Sequence, residues 1–233
     1  MINFCSYFDK NYLAKFLNLR SSLENFNFKY TFYILCLDDF SVNFFKKNNF
    51  NNTIIITLNE IENEYKELLD IKQNREIIEY YFTLSPFLPK YIFEKKGIKQ
   101  ISYLDSDFYF FQSPKKIIQE NIDCSVTLIQ QNVDERYGKY NVGWINFNFD
   151  YNETIIIVNE WGNECLNECT DIPNNNSYAD QKYLDKWVTK LKYLRVFQPE
   201  YTCLSPWDSN SVIEENKESM IAFHFGADPH DIP

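Results

Sequence analysis

Residues 101–111 read Ile101-Ser102-Tyr103-Leu104-Asp105-Ser106-Asp107-Phe108-Tyr109-Phe110-Phe111. The apolar run from Ile101 to Leu104 reads as a strand buried on both faces. Two carboxylates at its end are costly to bury unless something pairs them. In extended chain, residues i and i+2 point to the same side. Asp105 and Asp107 can therefore meet one divalent cation, and a hard cation takes oxygen ligands. The stretch predicts a metal site at the C-terminal end of a central strand, where open α/β sheets bind ligands. The competing reading is a strand ending in a solvated polar turn, since short Asp-x-Asp matches arise by chance.

Working outward, strands alternate with helices. Residues 2–7, 30–37 and 53–58 read as strands. Residues 11–25 read as a helix, with Tyr12, Phe16, Leu19 and Leu23 on one face. Residues 43–47 read as a short helix and 60–81 as a long one, with charges interleaved at i, i+4 spacing. A helix over 85–95 accepts Pro86 early and ends at Gly97. This alternation predicts an α/β fold with a mainly parallel sheet flanked by helices. Beyond about residue 115 the pattern is less regular. Strands are expected at 124–130, 142–149, 194–197 and 221–225, and helices at 153–166 and 178–190. Polar loops are expected at 131–139 and 171–177. The change at 115 reads as two lobes of one domain.

Composition narrows the function. At 233 residues the chain is long enough for a large core, and 45% of it is hydrophobic, which is a globular composition. The formal net charge of −10 disfavours nucleic acid as a partner, because such binders need a basic surface. An acidic protein can still hold a phosphorylated small molecule if a metal carries the positive charge. Of the 6 cysteines, Cys165 and Cys169 stand four apart, as on one face of a possible helix, but with 2 His in the chain no zinc set is evident. The chain opens without a basic segment leading into an apolar one, and no apolar stretch approaches the ~20 residues of a membrane span. A reduced, cytoplasmic protein is expected. A lipid-linked acceptor would bring it to the inner membrane face as a peripheral protein.

Five pieces, in order, carry a resemblance. They are Cys5-Ser6-Tyr7-Phe8-Asp9-Lys10-Asn11-Tyr12, Tyr103-Leu104-Asp105-Ser106-Asp107, Tyr140-Asn141-Val142-Gly143-Trp144-Ile145, Ala179-Asp180-Gln181 and His224-Phe225-Gly226. Together they resemble the nucleotide-sugar glycosyltransferases of the GT-A type, most closely family 8. The resemblance implies one GT-A-like domain, with about 1–115 as the nucleotide-sugar-binding half and about 116–233 as the acceptor-binding half. It implies transfer of a sugar, with retention, from a nucleotide diphosphate sugar, most simply a UDP-sugar, to the hydroxyl of a glycan or other acceptor. Asp105 and Asp107 match the metal-binding pair and His224 the residue that completes the set. Imidazole in the set suits Mn²⁺ better than Mg²⁺, which stays the alternative.

The resemblance also puts Ser6, Tyr7, Asp9 and Tyr12 against the base and ribose, with Tyr12 or Tyr7 as the stacking ring. Asn141 and Gly143 match a loop bordering the sugar, and Gly226 follows the metal-binding His. Asp180 and Gln181 match the catalytic pair beside the reacting sugar carbon. Structural roles compete with several of these. Asp9 can cap the first helix. Asp180 can sit in a capping box begun by Ser177. His224 can be a core histidine, and Trp144, Trp161, Trp187 and Trp207 can be core rather than sugar platforms.

The chain also departs from the pattern. A Lys-Pro is expected after the last Gly, where Ala227-Asp228-Pro229-His230 stand, with His230 a weak substitute. No clear counterpart is found of the Arg that, on the resemblance, often follows the long helix; Arg75 and Lys90 are the candidates. Two other readings stay open. One is a haloacid-dehalogenase-like phosphatase with Asp105 as nucleophile, although Tyr109 stands where that pattern has Thr or Val. The other is a scaffold that binds a nucleotide sugar without turning it over.

Overall fold

Along the strand Ile2–Phe8 (β1), Phe4 and Phe8 enter one hydrophobic core while Cys5 enters another and Tyr7 packs against it. That alternation is the two-residue period of a strand covered on both faces. The computed structural model describes residues 1–174 and 176–226. From β1 the chain runs through a helix, Leu13–Glu24 (α1), to Tyr30–Cys36 (β2), then through Asp39–Asn48 (α2) to Thr53–Thr57 (β3). The helices Leu58–Glu64 (α3), Glu67–Lys72 (α4), Ile77–Thr83 (α5) and Phe87–Lys96 (α6) cross back to Gln100–Leu104 (β4) on the other side of β1. The strands β1 to β4 are parallel, in the order β3-β2-β1-β4.

The remaining chain extends this sheet and adds a second. After Phe108–Phe110 (β5) and Lys115–Glu120 (α7) come Val126–Gln130 (β6) and Tyr140–Asn148 (β7). Strand β7 lies antiparallel between β4 and β6, with an irregular register near Thr127 and Ile129. The helices Asn152–Asn167 (α8) and Trp187–Lys190 (α9) lead to Leu194–Phe197 (β8), which runs parallel to β6 at the edge. Only β7 opposes the common strand direction of the seven. Finally Cys203–Leu204 (β9), Asn210–Asn216 (α10) and Ala222–His224 (β10) complete the chain, and β5-β10-β9 form a small sheet. The result is one α/β fold whose large sheet runs across the change in pattern at residue 115.

Helix α1 packs through Leu13, Phe16, Leu19 and Leu23, and Phe16 stacks on Phe8 with ring centroids 4.4 Å apart. Its Ser22 hydroxyl accepts a bond from the Phe110 N–H at 3.1 Å, which ties the small sheet to the same face. The opposite face is covered by α3 to α6, α8 and α9, around Trp161 and Trp187. Helix ends follow local chemistry. Asp38 caps α2 through the Ser41 N–H, Thr57 and Glu60 form a capping box on α3, and Gly97 closes α6 at φ +69°.

Three expectations are corrected. The helix expected over 60–81 is three short helices. Arg75 leaves the helical face to reach Thr83 Oγ1 and the Leu166 carbonyl, and Glu76 adopts extended backbone to start α5. The helix expected over 178–190 begins only at a 3-10 turn, Lys182–Lys186, because Ala179 is held at φ +46° with its N–H on the Thr170 carbonyl. Ser177 and Asp180 therefore make no capping box. The helix expected over 43–47 starts four residues earlier, at Asp39, because Asp38 caps it. The aromatic run after Asp107 forms a further short strand, β5.

Phe16 touches the rings of Phe8, Phe32 and Phe45 and has no solvent exposure. Phe16→Ala should cost about 3–5 kcal/mol of unfolding free energy, seen as a lower denaturant midpoint without loss of cooperativity.

Candidate active site

Strand order reverses between β1 and β4, since β2 and β3 lie to one side of β1 and β4 to the other. The crevice at the carboxyl ends of such a strand pair is where open α/β sheets bind ligands. β1 ends at Phe8, just before Asp9, and β4 ends at Leu104, just before Asp105. Asp105 and Asp107 lie in the turn between β4 and β5 rather than in extended chain, so strand alternation is not what brings them together. The turn is set by backbone bonds. The Asp105 N–H donates to the Gly143 carbonyl at 2.8 Å, and the Phe225 N–H donates to the Asp107 carbonyl at 3.0 Å.

That second bond belongs to the small sheet, which delivers His224. His224 Nε2 stands 3.2 Å from Asp107 Oδ1 and 3.5 Å from Asp105 Oδ2. The three side chains form one cluster whose ligand atoms all lie within 4.8 Å of one another. The imidazole stacks on Phe108 at 4.5 Å, and Trp207 meets its edge at 5.4 Å. Gly143 explains how the ring fits. A Cβ there would lie 2.9 Å from His224 Cε1 and 2.8 Å from Phe108 Cε2, so only glycine admits both rings. Asn141 Oδ1 accepts the Gly143 N–H at 2.7 Å, and Asn141 Nδ2 faces His224 Nδ1 at 3.2 Å.

The charges respond to this crowding. Burial raises the Asp105 carboxyl, the like charge of Asp107 adds to that, and His224 opposes it. For Asp107, burial is outweighed by the His224 charge and hydrogen bond, and its pKa falls below the ordinary carboxylate value. His224 is raised: burial opposes its charge, but Asp107 and then Asp105 favour it. Two carboxylates and an imidazole suit a divalent ion. Among the described residues this is the one group of three or more such ligands close enough to hold a metal. Cys165 and Cys169, both buried and free, belong to no such group.

A second buried acid lies beside the cluster. Asp180 is 2% exposed, and its Oδ2 has no hydrogen-bond partner. Burial pushes its carboxyl up to about 7, the Ser85 hydrogen bond holds it back, and the Asp105 charge adds to the rise. Tyr7 joins this group, with its hydroxyl 3.2 Å from Ser85 Oγ, and Tyr103 donates to Asp105 Oδ1 at 2.8 Å. Burial keeps both phenols neutral, with Asp180 adding to the rise at Tyr7 and Asp105 at Tyr103. Ser85 was not singled out in the sequence, and its position after a helix in a Ser-Pro pair gave no signal of this role.

Other expected residues have local structural work. Asp9 accepts from the Asn11 N–H at 2.9 Å and from the Tyr12 N–H at 3.3 Å, so it closes the turn before α1 and does not cap the helix, whose N-cap, Tyr12, makes no side-chain capping bond. Tyr12 is half-buried at the start of that helix. Ser6 is fully buried and its hydroxyl has no partner. The Gln181 amide is engaged on both sides, accepting from the Val142 N–H at 3.1 Å and donating to the Tyr137 carbonyl at 2.8 Å. Gly226 sits under the Trp207 ring, where a Cβ would come within 2.5 Å. Trp144, Trp161 and Trp187 are core residues, whereas Trp207 is 37% exposed. Arg75 is spent on Thr83 and Leu166, and Lys90 on the rings of Tyr65 and Phe87. The segment 227–230 lies outside the described residues. No helix among the described residues is long and apolar enough to cross a membrane.

The fold is of the GT-A type, that of nucleotide-sugar glycosyltransferases. Mouse xyloside xylosyltransferase 1 superposes with a TM-score of 0.65 at 13% identity, over 100% of this chain and 99% of its own. The galactosyltransferase LgtC, solved with donor and acceptor sugar analogues, gives 0.62 at 12% identity over 97% and 88%. The Streptococcus pneumoniae glycosyltransferase GlyE gives 0.61 at 12% identity over 97% and 55%. No family model matches the chain. In sequence it is 29% identical over 197 residues to YfnF of Bacillus subtilis, an uncharacterized protein, covering 78% of this chain and 64% of that one. It is 25% identical over 204 residues to YfnD of the same organism, also uncharacterized, covering 83% and 65%. The chain thus spans just under two thirds of the length of these curated relatives.

Two outcomes test the geometry. Gly143→Ala should displace the His224 and Phe108 rings and cost about 1–3 kcal/mol of stability, read as a lower denaturant midpoint. Asp180 ionises at a cost in the folded state. Because its folded pKa is raised, that cost is absent below the ordinary carboxylate value of 3.8 and complete above about 7. Asp180→Asn should therefore stabilise the protein at pH 8 relative to its effect at pH 4. Denaturant titrations at both pH values would show the difference, and an equal effect at both would contradict the raised pKa.

Proposed function

We propose that this chain is a metal-dependent glycosyltransferase that moves a sugar from a nucleotide diphosphate sugar, in the first instance a UDP-sugar, to an acceptor hydroxyl with retention of configuration. The observation that carries the reading is the meeting of Asp105, Asp107 and His224 at the reversal of strand order in a GT-A fold. Asp105, Asp107 and His224 would hold the ion, with Mn²⁺ favoured over Mg²⁺ by the imidazole. When bound, such an ion supplies positive charge for a departing diphosphate.

The chain's own groups supply the rest. Ser6, Tyr7, Asp9 and Tyr12, at the end of β1 and the start of α1, form the nucleoside side on this reading. Asn141 and Gly143 border the sugar. The partnerless Asp180 oxygen is buried where a sugar hydroxyl would satisfy it. Gln181 lies next to Asp180, but an amide is a poor nucleophile, and no covalent intermediate is assigned to it. Should the product prove inverted, Asp180, raised to about 7, is better matched to a base than Asp134, which is exposed and held low by Arg136. Residues from about 116 onward form the acceptor half, with exposed Trp207 as the aromatic candidate there. The six unpaired cysteines accord with a cytoplasmic location, at the membrane face if the acceptor is lipid-linked.

Thermal stability with UDP, with Mn²⁺ and with both tests the reading, because a ligand of the folded state must raise Tm. Wild type should show a shift that needs both, and the Asp105→Asn, Asp107→Asn double variant should lose it. Release of UDP from a donor sugar then separates an enzyme from a scaffold, and turnover of p-nitrophenyl phosphate would favour a phosphatase. Full activity of Asp105→Asn in metal-free buffer would sink the scheme.

A further inference from the structure

The candidate site gathers carboxylates. Asp105 and Asp107 form the cluster, Asp180 lies beside it, and Asp9 stands at the end of the neighbouring strand. Among the described residues, the one Lys or Arg in an ion pair with any of these four is Lys15. Its Nζ lies 3.7 Å from Asp107 Oδ2. The same ammonium sits 4.0 Å from the centre of the Tyr12 ring. One contact sets this cation against the cluster, and the other holds it over Tyr12.

Helix stability does not account for a Lys here. Tyr12 is the N-cap of α1, so Lys15 is its third residue, in a first turn with no acidic side chain. A cation in the first turn opposes the helix dipole. The ion pair is also loose for its type. It is longer than a charge-assisted hydrogen bond, about 2.7–2.9 Å, and the Lys15 side chain is 39% exposed. A pair of this kind contributes little to stability and exchanges readily. Asp107 turns its other oxygen to His224. An ion that takes the carboxylates would thus release Lys15 from its only carboxylate partner at the cluster.

We infer that Lys15 is a phosphate-binding residue, which leaves Asp107 when the metal arrives and closes on the diphosphate the metal holds. The inference rests on the nucleotide-sugar reading of the site. Distances allow it: the Nζ already lies 3.7 Å from an oxygen of a carboxylate that would hold the ion. A phosphate on that ion falls within the swing of a four-carbon side chain. Tyr12 keeps the ammonium at the rim meanwhile, since a cation over a ring face is held without being neutralised. The residue acts as a mobile charge shared between a carboxylate in the metal-free state and a phosphate in the loaded one.

This role gives Lys15 opposite effects on two ligands, which a merely structural ion pair would not. Calorimetric titrations of wild type, Lys15→Met and Lys15→Arg with Mn²⁺ alone should show Lys15→Met binding the ion at least as tightly as wild type, because a competitor for Asp107 is gone. With Mn²⁺ saturating, Lys15→Met should bind UDP and inorganic pyrophosphate about tenfold more weakly or worse, the size expected for a lost charge-assisted bond. Uridine should bind both proteins equally, and Lys15→Arg should restore most of the UDP affinity. If wild type binds UDP with Mn²⁺ and Lys15→Met binds it equally well, the role of Lys15 is wrong and the site reading stands. An equal loss for uridine and UDP would likewise overturn it in favour of a structural role. If wild type binds pyrophosphate but not UDP, Lys15 keeps its role and the nucleotide reading falls. If wild type binds neither, both fall together.

Discussion

The contact of His224 with Asp105 and Asp107 is the constraint on which the site depends. Its partners are far apart in sequence, so local propensity cannot make it. It needs a strand that ends at Leu104, a turn fixed by the Gly143 carbonyl, and a second sheet that brings β10 antiparallel to β5. Each of these steps leaves a mark in residue type. Phe108 and Phe110 face the core beneath α1, which keeps β5 in place. Gly143 is glycine because two rings occupy the space a Cβ would take. Gly226 is glycine because Trp207 covers it. The rings of Phe108 and Trp207 then fix the imidazole, so the geometry of the cluster is set by packing.

The large sheet places that contact in a crevice. Because β2 and β3 lie on one side of β1 and β4 on the other, the segments that leave β1 and β4 part from each other. Asp9 and Tyr12 stand at the start of one segment, and the Asp pair begins the other. Strand β7 runs against its neighbours, and this is useful rather than incidental. An antiparallel β7 brings its first residues, Tyr140 to Gly143, to the carboxyl end of β4, where a parallel strand would have brought its last. Asn141 and Gly143 reach the cluster by that reversal.

The strongly patterned parts of this architecture were legible in the sequence. Strands β1 to β4 and helices α1, α6 and α8 follow from period and capping, and Gly97 stops α6 as expected. The Asp pair was legible because buried carboxylates need a reason. Its route to convergence was not, since extended-chain alternation is absent and a turn does the work instead. The breaks near Arg75 and Ala179 escaped for a related reason: Arg75 serves Leu166, far along the chain, and Ala179 serves Thr170 across the intervening loop. Ser85 and Lys15 escaped because neither residue type is informative alone. Each gains meaning only from what the fold sets opposite it, Asp180 for one and Asp107 for the other.

Electrostatics ties these pieces into one device. A chain with a net charge of −10 and a cleft lined by aspartates repels an anionic ligand. The repulsion ends only when a cation occupies the cluster, so on the proposed reading metal and nucleotide must bind with positive coupling. By linkage that coupling is mutual: the nucleotide tightens the metal as much as the metal tightens the nucleotide. His224 and Lys15 adjust it from two sides. The imidazole would exchange its carboxylate contact for the ion, and the ammonium would yield its carboxylate. Both exchanges keep the buried carboxylates paired in each state, which is the condition for leaving them in so enclosed a place. Asp180 stands outside these exchanges, buried and without a cation of its own, and it answers the same difficulty by holding its proton to about pH 7.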